Sequence, residues 1–158
     1  MLTDMKKRQP AQFHLLLHSG HLIEERLRVR LAALGVQSRQ ARVLDALERM
    51  GEASQAELAK EFNLTAASVS TMTARLLKAG LIDRQIDEEE LRKNVLTLTK
   101  KGHALLDAIH TEWHALDSEI IAAIGERDAA SLKRLTLKLR NNLGGKTPGG
   151  GSSKPKSI

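Results

Sequence analysis

The chain has 158 residues, enough for one domain with a real core, and it contains no cysteine, which excludes disulfides, thiolate zinc sites and redox sensing by thiols. No apolar run approaches the roughly 20 residues that span a bilayer. Nor does Met1 to Pro10 lead into the apolar stretch of a secretory signal, so the expected location is the cytoplasm, with no membrane partner. The net charge is +6, yet it is unevenly placed. Residues 1–37 carry +3 and residues 144–158 carry +3, whereas 38–100 and 101–143 each sum to zero. Aromatic residues are limited to Phe13, Phe62 and Trp113, so the core must be aliphatic, which suits packed helices.

Residues 12–34 read as a long helix, with Leu16, Ile23, Leu27, Leu31 and Leu34 recurring at helical spacing and Gly35 as its stop. Ser38 is the expected cap of a second helix, which carries Val43, Leu44 and Leu47 and closes at Gly51. Ser54-Gln55-Ala56-Glu57 has the form of a capping box and opens a short third helix. A tight turn at Phe62-Asn63-Leu64 follows, where Asn63 tolerates a left-handed backbone. Thr65 then caps a helix that runs to Ala79 and stops at Gly80.

Beyond Gly80 the apolar period changes from that of a helix to that of a strand. Residues 81–86 and 94–98 read as two strands, joined by the charged tip Asp87 to Lys93. Thr99 caps a long helix to about Ile124, and Asp128 is expected to cap a last one ending near Leu143. The Gly/Ser/Lys-rich remainder, 144–158, reads as a flexible tail. The fold class is therefore mainly α with a small β-hairpin (α+β), a winged helix-turn-helix. Residues 38–98 form the reading domain, and helices from 1–37 and 99–143 form a dimerisation region.

A helix offering short polar side chains can enter the major groove and approach base edges. In the helix from 65 to 79, Val69, Met72, Leu76 and Leu77 make the inward stripe. Thr65, Ala66, Ser68, Ser70, Thr71 and Thr73 are assigned to a small, hydroxyl-rich face that meets DNA. Ser54 joins the DNA set, and Arg92 and Lys93 at the hairpin tip are placed to reach a minor groove or its phosphates. A plain charged turn is the competing reading for Lys93. An enzyme is not expected: the chain has no Gly-rich phosphate loop, no cysteine nucleophile and no carboxylate pair on a cleft-like element. No cofactor is expected either.

"NLTAASVSTMTARLLKAGL" from Asn63 to Leu81, together with "DEEELRKNVLTLTKKG", resembles the multiple-antibiotic-resistance-regulator (MarR) family over roughly residues 12–143. The resemblance places the stretch Ser68 to Thr71 on a recognition helix and matches Arg75 and Arg92 to recurrent arginines of helix and wing. Thr71 and Leu91 stand where basic residues are frequent, and Glu90 replaces the second aspartate of the wing. It implies a two-fold homodimer on double-stranded DNA, at a near-palindromic operator with half-sites about one helical turn apart. The apolar stripes of the first helix and of the two after the wing suit such a dimer, with packing inside one chain as the alternative.

All six histidines lie outside the reader: His14, His18 and His21 share one face of the first helix, and His103, His110 and His114 share the helix after the wing. Three readings stand. The rings can be functionless, or two converging faces can hold zinc or another metal. The preferred reading is an effector cavity in which His14, His18, His21, His110 and His114, with Arg39 and Arg42, hold a small aromatic acid. The family resemblance implies such ligands, and "HLLLHSGHL" from His14 to Leu22 is similar to the branch that represses nicotinate degradation, implying a hydroxynicotinic acid.

Overall fold

The computed structural model describes residues 11–86 and 94–145. The hairpin tip with Arg92 and Lys93, and most of the tail, lie outside the described residues. Six helices run in the order α1 (Gln12–Ala33), α2 (Ser38–Met50), α3 (Gln55–Phe62), α4 (Ala66–Lys78), α5 (Lys100–Ile124) and α6 (Glu126–Asn142) among the described residues. A small antiparallel sheet holds β1 (Ala53–Ser54), β2 (Ile82–Ile86) and β3 (Asn94–Leu98) in the order β1-β3-β2. Strand β1 is an addition to the expected hairpin. Its pairs Ala53–Leu96 and Ser54–Val95 are too short to leave a period in the sequence.

Two expected caps are corrected. Helix α2 is capped by Gln37, whose backbone N–H donates to Gln40 Oε1 at 2.9 Å, while Ser38 is already helical. Helix α6 starts two residues before Asp128, because Gly125 at φ 82° turns the chain directly out of α5. Asp128 lies in the first turn, where its charge meets the positive end of the helix. Thr65 and Thr99 cap as their types predict, accepting from Ser68 N and Gly102 N.

The core sits where α1, α2, α4 and α5 meet the sheet, and it is aliphatic. Leu31, Leu44, Leu47, Leu58, Leu76, Leu96, Leu106 and Ile109 are fully buried, each stabilising the fold by about 1.5–3 kcal/mol. Only the end of α1 enters it: Leu27, Leu31 and Leu34 pack there. Leu16 and Ile23, on the same sequence stripe, remain exposed with Phe13, Leu15, Leu17 and Leu22. Helix α6 has no buried residue, and Leu132, Leu135, Leu139 and Leu143 face outward.

Arg30 on α1 donates to Glu112 on α5 at 2.8 Å and also bonds Glu119, while Arg26 lies 3.7 Å from Glu119. These carboxylates raise the Arg30 pKa above its ordinary value. Earlier residues of α1 meet later residues of α5, so the two helices run antiparallel.

Gly102, in the first turn of α5, is buried where a Cβ would overlap the Leu81 carbonyl oxygen. Gly102→Ala is expected to lower stability by about 2 kcal/mol or more, since rigid backbone must shift. Gly20→Ala, in an exposed helix with open space around it, is expected to gain about 0.5–1 kcal/mol. Thermal unfolding of both variants checks the pair; equal melting temperatures would remove the close approach from the account.

Candidate nucleic-acid interface

The α3–turn–α4 unit is built from local hydrogen bonds. The capping box forms: Ser54 N donates to Glu57 Oε2 at 2.8 Å, and Glu57 N donates to Ser54 Oγ at 3.2 Å. Asn63 adopts the left-handed conformation at φ 51°, which lets Leu64 N reach back to Ala59 O at 2.9 Å. Thr65 Oγ1 accepts from Ser68 N at 3.2 Å and donates to Ser68 Oγ at 2.9 Å. Ser54 and Thr65, both expected at DNA, are thus committed first to starting helices.

Helix α4 buries Val69, Thr73 and Leu76. Thr73 was expected on the hydroxyl face, and the structure corrects this: it is 0% exposed. Its position four residues after Val69 and three before Leu76 puts it on the inward stripe. Its hydroxyl donates to Val69 O at 2.9 Å and accepts from Gln55 Nε2 at 2.9 Å, so it is a polar pin between α3 and α4. Thr65, Ala66, Ser68, Ser70, Thr71 and Arg75 are exposed as expected. Ala67, Ala74 and Lys78, overlooked in the sequence reading, are exposed with them. Counting threes and fours from Thr71 finds all three, whereas selecting by hydroxyl does not.

The far end of α4 is held by α5. Lys101 Nζ donates to Ala79 O at 2.8 Å, Thr99 Oγ1 to Gly80 O at 2.7 Å and Thr99 N to Leu81 O at 3.1 Å. These bonds satisfy the carbonyls of the turn that follows α4.

The expected effector residues are dispersed. His14, His18 and His21 are exposed on α1. His110 Nε2 lies 2.9 Å from Asp45 Oδ1 on α2, its ring 5.3 Å from that of Trp113, and His103 lies 3.6 Å from Glu48. His114 is exposed. Because α1 and α5 are antiparallel and Arg26 already lies beside Glu119, the first histidine set falls toward the end of α5, past His103, His110 and His114. The two faces do not converge within one chain. Among the described residues no group of three His, Asp or Glu is placed to hold a metal ion, so the metal-responsive alternative loses its support.

Arg39 and Arg42 border open hollows. One of about 560 Å³ lies between α1 and the start of α2, lined by His21, Glu24, Glu25, Arg28, Gln37 and Arg39 among others. The Arg28 guanidinium bonds the Glu25 carboxylate and holds its pKa below the ordinary value. A second, about 290 Å³, lies between α2 and α4 and is lined by Gln37, Arg39, Gln40, Leu64, Ser68, Thr71, Met72 and Arg75. A third, about 170 Å³, joins Arg39 and Arg42 to Phe62 and Met72.

The family model described as MarR family matches residues 34–93, which take in α2, the helix-turn-helix and strand β2. Among curated relatives, the HTH-type transcriptional regulator BilQ of Clostridium symbiosum is 30% identical over 86 residues. That match spans 54% of this chain and 60% of BilQ. The HTH-type transcriptional repressor Rv2887 of Mycobacterium tuberculosis is 26% identical over 126 residues, 80% of this chain and 91% of that one. Solved structures share the fold: reduced MarR of E. coli has a TM-score of 0.74 at 20% identity, covering 83% of this chain and 97% of that one. The M. tuberculosis Rv2887 complex with DNA has a TM-score of 0.71 at 24% identity, over 83% and 98% of the two chains. The winged helix-turn-helix expected from the sequence is the fold that forms.

Thr73→Val, which keeps the shape and removes the hydroxyl, is expected to cost about 1 kcal/mol of stability by unpairing Gln55. Chemical denaturation of the variant checks this. A variant as stable as the parent would remove the pin between α3 and α4.

Proposed function

We propose that this chain is a MarR-family homodimeric repressor that binds a near-palindromic operator in double-stranded DNA and is released by a small aromatic acid. The observation that carries the DNA half is the outer surface of α4. Ala67, Ser68, Ser70, Thr71 and Ala74 are small and exposed, so the backbone of α4 can come close to base edges in a major groove. Arg75 and Lys78 on the same helix supply phosphate contacts, and Arg92 and Lys93 extend the contact through the wing. The regulators and repressors among the relatives support the same reading.

The dimer half rests on apolar surface that one chain leaves uncovered. Phe13 is 57% and Leu17 67% exposed on α1, and the α6 leucines at three- and four-residue spacing are exposed throughout. Monomeric proteins rarely show so long an apolar stripe. Burying α1 and α6 against a second copy assigns 1–37 and 99–143 to dimerisation and 38–98 to reading.

The effector is read as an aromatic carboxylic acid, with a hydroxynicotinic acid suggested by the His14–Leu22 segment. The hollow between α1 and α2 supports this by its size and by the donors of His21 and Arg39. Its Gln37 and Arg39 also line the hollow against α4, so an acid there shares walls with the DNA-facing side. Its leverage equals its difference in affinity between the bound and released states.

Fluorescence anisotropy with the duplex upstream of the chain's own gene tests the reading. The expected result is binding at least about a thousandfold tighter than to random duplex, a dimer mass by light scattering, and release on titrating hydroxynicotinic acid. No preference over random duplex would end the regulator reading. A monomer would end the dimer reading, and release by none of a panel of aromatic acids would end the effector reading.

A further inference from the structure

The hollow between α2 and α4 brings two guanidinium groups to one opening, Arg39 from the first turn of α2 and Arg75 from the last turns of α4. Among the described residues no carboxylate lines it, and neither arginine, both exposed, forms an ion pair. This is unusual for a segment whose formal charge is zero. Four acids of α2 and α3 are engaged elsewhere: Asp45 is taken by Arg49 and His110, Glu48 faces His103, Glu61 faces Arg49, and Glu57 closes the capping box. Those acids hold helices together, while Arg39 and Arg75 are left at the outer face of α2 and α4.

We propose that Arg39 and Arg75 form a seat for one backbone phosphate of the DNA, making Arg39 a DNA-positioning residue. Two planar forks approaching from two helices match the tetrahedral oxygens of a phosphodiester. Gln40, Ser68 and Thr71 at the same opening add polar partners, and Leu64 and Met72 give an apolar floor for the sugar. Of the other two hollows that Arg39 borders, the one against α1 is lined also by Glu24 and Glu25, and neither is lined by Arg75. The seat lies beside Ser68 and Thr71, so a phosphate held there fixes how far α4 enters the groove. Such a contact sets register and adds affinity without reading sequence.

The inference rests on the DNA-binding reading, and the experiment separates the two. Anisotropy titrations of the full chain over a salt series, on the upstream duplex and on a random duplex, compare the parent, Arg39→Gln and Lys154→Gln. Lys154 belongs to residues 144–158, outside the segments assigned to reading and to dimerisation. Arg39→Gln is expected to weaken both duplexes by a similar factor, on the order of tenfold. It should also reduce the slope of log K against log salt by about 2 for a dimer that loses two contacts. Lys154→Gln is expected to match the parent, and unfolding curves of both variants confirm the fold. An unchanged slope and affinity for Arg39→Gln overturns the seat. A loss confined to the upstream duplex overturns it too, since a phosphate contact is blind to sequence. If the parent itself shows no preference between duplexes, the regulator reading fails, while the slope on random duplex still decides the seat.

Discussion

The turn that follows α4, Ala79 to Leu81, offers three backbone carbonyls, and the donors that meet them all come from one place in the chain. Backbone carbonyls pair with some donor, and the choice of donor decides which elements are tied together. Here the start of α5 supplies the donors, through Thr99 N, Thr99 Oγ1 and Lys101 Nζ. Gly102 makes this geometry accessible, because any larger residue would collide with the Leu81 backbone. The reading helix is thereby bonded directly to the 25-residue helix that leaves the reader. A rotation of α5 cannot leave α4 in place without breaking those bonds.

The same helix is tied to α1 by Arg30 and to α2 by His110 and Asp45, so a single rigid frame carries the reader. What the frame does not do is bury its own extremities. The first half of α1 and all of α6 stay outside the core, which fills with leucine and isoleucine from the middle of the chain. In the proposed dimer, a second copy covers those ends and extends the frame across a two-fold axis. The spacing of two recognition helices then depends on how two α5 helices are set.

Electrostatics follows the packing. A net charge of zero over 38–100 conceals a sorting of charges by location. Acids on α2 and α3 are spent on caps and on partners in α2 and α5, where desolvation and short distance strengthen each pair. Arg39, Arg42 and Arg75 are left over, and they border the hollows around α4. Summing charges along a sequence cannot reveal this, because pairing is a property of neighbours in space.

Local chemistry by itself determined much of this protein. Ser54-x-x-Glu57, Asn63, Thr65, Gly80 and Thr99 each place a helix end or turn through bonds spanning four residues or fewer, and all form as their types dictate. The order of those signals was enough for the winged helix-turn-helix and for the exposed hydroxyls of α4. Tertiary structure decided what depends on distant partners. It turned Thr73 inward to meet Gln55, spent Asp45 on His110, and recruited Ala53 and Ser54 as a third strand against Leu96 and Val95. By running α1 against α5 it also parted two histidine sets that sequence spacing alone makes look alike. The reason is common to all of these. A cap or turn is chosen within one helical turn of chain, whereas a core position, an ion pair or a site is chosen by what another element brings alongside.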